Sequence, residues 1–249
     1  MNLPFSFVLF GETYTSASVS SKGYVTFGGN AGAQPTPGSP QFVQGIPRIA
    51  PAWYDIDVVN SGGTIFFNSF DHRAVFTFLD VGSYAPPPGF SPEASNLATF
   101  QLQIYDDGTI VFGYAAFNSL DPNVTGEVNT LLGSPLALAG ITPGFGGTDP
   151  GSTDLQSAIE SAPGFAYTTA NSTIYQKIMN DPATGTNFAG LNLIFTPNQV
   201  TGWVITATPD AAALTGAPEP NTGWFAGFAG AVFLLGRSTL KRLARRVDG

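Results

Sequence analysis

Two carboxylates and two aromatic rings stand together in Ala52-Trp53-Tyr54-Asp55-Ile56-Asp57, and this run holds most of the chain's potential chemistry. In an extended strand, positions i and i+2 project from one face about 6–7 Å apart. That spacing would put Asp55 and Asp57 on the same side as Trp53. A pair of this kind would bind calcium if further oxygens converged on it, because that ion takes six to eight. It would equally well cap turns or accept from backbone amides. Paired-acid glycoside hydrolysis needs carboxyls facing each other across a cleft, which adjacent strand positions do not supply. Trp53 and Tyr54 would offer a sugar-stacking platform if exposed, and core side chains if not. His72, the single histidine, lies in Asp71-His72-Arg73 between apparent strands. It has no Gly-x-Ser-x-Gly elbow to serve, so an exposed turn is expected. No catalytic residue and no cofactor are assigned; calcium at Asp55 and Asp57 is the one metal considered.

The elements that would position these residues are strands. Phe5, Phe7 and Leu9 alternate with Ser6, Val8 and Phe10; Thr13–Ser20 and Tyr24–Phe27 follow across Ser21-Lys22-Gly23. Residues 30–45 read as a Pro/Gly/Gln loop. Ala52–Val58 and Thr64–Asn68 read as a strand pair joined across Asn60-Ser61-Gly62-Gly63, and Ala74–Val81 alternates again. Leu97–Tyr105 and Thr109–Tyr114 form the clearest hairpin, with Asp106-Asp107-Gly108 supplying residues that tolerate positive φ. Leu136–Ile141 is a further core strand. Thr142–Thr148 is glycine-rich, but no Lys or Ser/Thr follows at phosphate-loop spacing. Asp154–Ala162 allows one or two helical turns, Ile174–Met179 fits helix or strand, and Leu191–Phe195 with Trp203–Thr206 closes the body. The fold class expected is all-β: an antiparallel β-sandwich with long Pro/Gly-rich loops, followed by a single C-terminal transmembrane helix.

Composition agrees with many short strands and turns. Hydrophobic residues make up 43% and aromatics 13% of 249 residues, enough for a real core, while only 10% are charged. Before Arg237, four basic residues (Lys22, Arg48, Arg73, Lys177) face sixteen acidic ones, a balance of −12. Such a surface repels nucleic acid, whose phosphates require cations. The absence of cysteine excludes disulfides, zinc–thiolate sites and cysteine nucleophiles.

The C-terminus has a different character. Pro218-Glu219-Pro220 leads into the uncharged run Trp224–Leu235, which ends in Arg237, Lys241, Arg242, Arg245 and Arg246. An apolar run followed by cations is expected to insert in a bilayer with the cations on the cytoplasmic side. At ~1.5 Å per residue it spans about 20–25 Å, short of the ~30 Å hydrocarbon core. The division expected is a β domain over 1–207, a linker over 208–220, a membrane helix over 221–236 and a basic cytoplasmic tail over 237–249. This three-part order resembles the PEP-CTERM sorting signal of exported bacterial proteins. The resemblance implies recognition by an exosortase, removal of the tail near Pro218–Pro220, and an association with exopolysaccharide. Export also needs an N-terminal signal. Met1–Pro4 offers no basic region and Phe5–Phe10 is too short, so a start upstream of Met1 is expected.

The body carries a second resemblance. Phe5-Ser6-Phe7 with Phe10-Gly11-Glu12-Thr13-Tyr14, then Val19–Phe27, Ile49–Asp57, Ala98–Gly108 and Ala139-Gly140-Ile141, come in the order of blocks of the nidogen-like (NIDO) extracellular domain. Phe76-Thr77-Phe78 departs from the Thr-Trp pair common in that family. The resemblance implies a non-catalytic extracellular module of adhesive and matrix proteins. The function expected is therefore a sorted cell-surface or matrix protein that is not an enzyme. Its partners would be exosortase and membrane during sorting, then exopolysaccharide or matrix components. A carbohydrate-binding module using Trp53 and Tyr54 is the alternative, and a hydrolase using Asp55 and Asp57 is the third reading.

Overall fold

The computed structural model describes residues 1–30, 32–83, 97–117, 135–146, 148–153, 155, 165–167, 172–179, 188, 190–198 and 202–209. All fall within Met1–Gly216, one of two units into which the chain divides. The Pro86–Gly89 loop, nearly all of Asp154–Ala162, the linker beyond Pro209, the Pro218-Glu219-Pro220 motif, the 221–236 segment and the basic cluster lie outside the described residues. Among the described residues no helix is long and apolar enough to cross a membrane.

Two antiparallel sheets make up the body. The smaller contains β1 (Asn2–Leu9), β2 (Glu12–Ser20), β3 (Tyr24–Phe27), β4 (Arg48–Trp53), β10 (Pro135–Thr142) and β12 (Ile174–Met179), side by side in that order. The larger runs β11 (Phe165–Tyr167), β14 (Gly202–Pro209), β13 (Leu191–Asn198), β9 (Ile110–Phe117), β8 (Ala98–Tyr105), β7 (Arg73–Ser83) and β5 (Ile56–Asp57). β6 (Thr64–Phe70) also pairs with β7. Period-two patterning decides which face each strand buries. Phe7, Val25, Ile49 and Ile141 of the smaller sheet meet Phe76, Phe100, Phe112 and Phe195 of the larger in one core. Each such side chain stabilises the fold by roughly 1.5–3 kcal/mol relative to exposure. Phe78 and Phe100 stack at 4.7 Å, and the Tyr114 hydroxyl crosses the layer to donate to the Pro51 carbonyl at 2.7 Å.

Three sequence expectations are corrected. Thr64–Asn68 pairs with β7 rather than with Ala52–Val58, and the latter is not one strand. It breaks at Tyr54-Asp55: β4 belongs to the smaller sheet and β5 to the larger, so the chain changes layer at this corner. Residues 58–61 then form a single helical turn, α2 (Val58–Ser61). The 30–45 loop likewise contains a helix, α1 (Ser39–Gln44). Pro40 pre-sets its first turn, where the missing N–H costs nothing, and Phe42 and Val43 give it a buried face. Ile174–Met179, open between helix and strand, is the strand β12, paired with β10 along Ile141↔Ile174 to Ala137↔Ile178.

Candidate functional site

The local phase of β4 explains where the predicted site residues go. Its register against β10 slips between Leu138↔Trp53 and Gly140↔Ala50, which places an extra residue at Pro51-Ala52. Proline has no N–H to donate, so a bulge suits it. The extra residue keeps Arg48, Ala50 and Trp53 on the outer face of the smaller sheet and turns Tyr54 inward. Trp53 and Tyr54 are 0% and 1% exposed. Trp53 joins a second cluster with Tyr24, Phe42, Ala50, Leu138 and Tyr175, beneath α1, while Tyr54 belongs to the main core. The surface platform considered for these two rings is therefore corrected: Tyr54 is turned between the sheets by the bulge, and Trp53 is interior because the covering segments add a layer that the strand pattern alone does not reveal.

The carboxylates serve the corner. Lys22 Nζ donates to Asp55 Oδ1 at 2.5 Å and to the Ile56 carbonyl at 2.8 Å. This ties the β2–β3 turn to the point where the chain changes sheets. Asp57 is buried, and its Oδ1 accepts from the Val59 N–H at 3.0 Å at the start of α2. Ser61 Oγ donates back to the Asp57 carbonyl at 2.6 Å. The i, i+2 spacing thus holds along the chain, but the two groups carry separate structural bonds. Among the described residues no three His, Asp or Glu side chains gather as a metal would need. His72 lies in the exposed β6–β7 turn, where Nδ1 meets Asp106 Oδ2 at 2.6 Å. That bond and the charge behind it raise the imidazole pKa. Asp106-Asp107-Gly108 forms the β8–β9 turn: Asp107 Oδ1 accepts from the Thr109 N–H at 2.9 Å, and Gly108 sits at φ +85°.

The most unusual chemistry lies at a residue that the sequence reading counted only among the cations. Arg48 is 1% exposed, its guanidinium carbon 4.3 Å from the Tyr24 ring centre and 4.4 Å from that of Trp53. Nη2 donates to Gln34 Oε1 at 3.0 Å, while Nε and Nη1 have no partner. Among the described residues no carboxylate pairs with it. Burial, opposed by the Tyr24 phenol, lowers its pKa, yet an arginine stays charged in proteins. The covering segment, residues 32–38, is pinned by side chains of the sheet. Tyr24 OH donates to the Gly32 carbonyl at 2.5 Å and accepts from the Gln34 N–H at 3.0 Å, and Trp53 Nε1 donates to the Gln34 carbonyl at 2.7 Å. The available signal was a lone arginine inside the otherwise uncharged Pro47-Arg48-Ile49-Ala50-Pro51-Ala52-Trp53.

A family model described as "NIDO related" matches residues 1–197. The chain belongs to that family, and the match extends past Ile141, where the resemblance in the sequence ends. Neither a search of the curated proteins nor one of the solved structures returned a match. A NIDO-related body is compatible with an extracellular matrix-interaction domain.

Proposed function

We propose that this chain is an exported protein of the cell surface or extracellular matrix. Its β body is a non-catalytic interaction domain, and its C-terminal tail is a sorting signal processed by an exosortase. The observation that carries the reading is family membership over residues 1–197. The order Pro218-Glu219-Pro220, apolar run, basic cluster supports the sorting step. A non-catalytic role is supported by the carboxylates at the corner, since Asp55 is ion-paired and Asp57 caps a turn. The test is expression in the native host, followed by fractionation and intact-mass measurement. The expected product is extracellular or surface-bound and lacks Arg245 and Arg246. A cytoplasmic product of full mass would overturn both export and processing.

A further inference from the structure

We propose that the outer face of the smaller sheet is a recognition site for an extended peptide bearing a glutamate followed by proline, and that Gln34 fills this site in cis. Three groups of Gln34 are each read by a different side chain of the sheet. Its N–H meets Tyr24 OH at 3.0 Å, its carbonyl accepts from the Trp53 indole at 2.7 Å, and its side-chain oxygen accepts from Arg48 Nη2 at 3.0 Å. The next residue is Pro35, which holds Gln34 extended. The chain's own segment is thus bound much as a ligand would be.

The fit is incomplete in one respect, and that respect defines the ligand. Gln34 gives the guanidinium one neutral acceptor and leaves Nε and Nη1 unpaired in the interior. A buried cation without a counter-charge is costly, and arginine pairs best with the two oxygens of a carboxylate. Glutamate has the shape of glutamine but brings a second acceptor and the missing negative charge. An incoming Glu-Pro segment would remake the two main-chain bonds and improve the third. Two of the three contacts are to main-chain N–H and C=O, which every peptide has and a uronic acid lacks, so a peptide is favoured over an acidic saccharide. Displacement is local, because the side chains of residues 33, 35 and 36 are exposed, and besides the contacts of Gln34 it gives up the bonds that Tyr24 and Ser20 donate to the Gly32 carbonyl. The tethered segment competes at an effective concentration of order millimolar, which sets a threshold that only a better acceptor passes. This partner class deepens the interaction-domain reading and rests on it. Binding by purified protein reports nothing on sorting, so the two can fail separately.

The probe is the peptide Gly-Ala-Glu-Pro-Thr-Pro-Gly, which is residues 32–38 with glutamate in place of Gln34. It is titrated into the full-length chain while the Trp53 indole N–H is followed by NMR. A saturable shift is expected, with the glutamine version of the peptide about tenfold weaker or more. Arg48→Met should abolish the shift. Gln34→Glu, which alters only the covering segment, should weaken the peptide at least about tenfold by filling the site from within. No saturable shift at millimolar peptide, or unchanged binding in the Gln34→Glu chain, overturns the proposal. So does displacement of Gln34 by oligogalacturonate with no response to the peptide.

Discussion

The Tyr114 hydroxyl is buried between the sheets and donates to the Pro51 carbonyl at the bulge of β4. Tyr114→Phe leaves that carbonyl without this donor and should cost about 1–2 kcal/mol, measured by urea unfolding at neutral pH. Desolvation raises the Tyr114 pKa well above its usual value. The folded state therefore holds this proton more tightly than the unfolded chain does. Its contribution is intact below the unfolded value of about 10 and is lost as pH rises beyond it. Stability should accordingly fall more steeply above pH ~10 in the wild type than in Tyr114→Phe. His72 is shifted in the same direction, by its hydrogen bond with Asp106 first. Its small stabilising effect is complete below about pH 6.5 and fades as pH rises through the raised folded value. NMR titration should give a His72 midpoint above that of a free imidazole, and Asp106→Asn should bring it down; an unmoved midpoint refutes the pairing. The exposed position of His72 was legible from its flanking strands. The depth of Trp53 was not, since a ring on the outer face of a sheet is buried or bare according to what covers it.

Strands were readable wherever apolar and polar residues alternate without interruption. β3 coincides with the expected Tyr24–Phe27, and β8 and β9 form the expected hairpin around Asp106-Asp107-Gly108. Bulges spoil such readings, because one inserted residue reverses every later assignment of face. That occurs at Pro51-Ala52 in β4 and between Phe78 and Val81 in β7, where Asp80 takes φ +52°. The pairing of β6 with β7 across the short Asp71-His72 turn was within reach of the sequence, but the turn residues Asn60-Ser61-Gly62-Gly63 point equally to Ala52–Val58 as its neighbour. The turn before β3 is the most demanding local element. Gly23 has φ +81°, and a Cβ there would lie 1.8 Å from the Ala52 carbonyl oxygen. Gly23→Ala combines left-handed strain with that collision and should destabilise by more than about 2 kcal/mol. A thermal melt within one or two degrees of wild type would show that the turn can move away from β4. Lys22→Met tests the same corner from the side chain, where loss of the Asp55 ion pair, partly exposed on both sides, should cost about 1 kcal/mol or less.

Between the two sheets the chain passes repeatedly: β1 to β4 lie in the smaller, β5 to β9 in the larger, β10 returns, and β13 and β14 end in the larger. Neither sheet is a continuous stretch of sequence, so neither should unfold alone. Denaturant unfolding followed by tryptophan fluorescence and by far-ultraviolet circular dichroism should give coincident transitions, and separated midpoints would contradict the shared core. The all-β class was legible from composition and alternation, but the layer change at Tyr54-Asp55 was not, because the alternation of Trp53, Asp55 and Asp57 with Tyr54 and Ile56 looks the same whether the strand stays in one sheet or leaves it. The insertion of β10 between β4 and β12 carries a consequence for biogenesis. Until Pro135–Thr142 emerges, one side of β4 has no neighbour, and a row of amides and carbonyls stands ready to be stitched to the wrong strand. Wherever the chain is made, that raw selvedge stays open while about eighty residues beyond Trp53 are still to come, so the smaller sheet closes late in synthesis and from its middle.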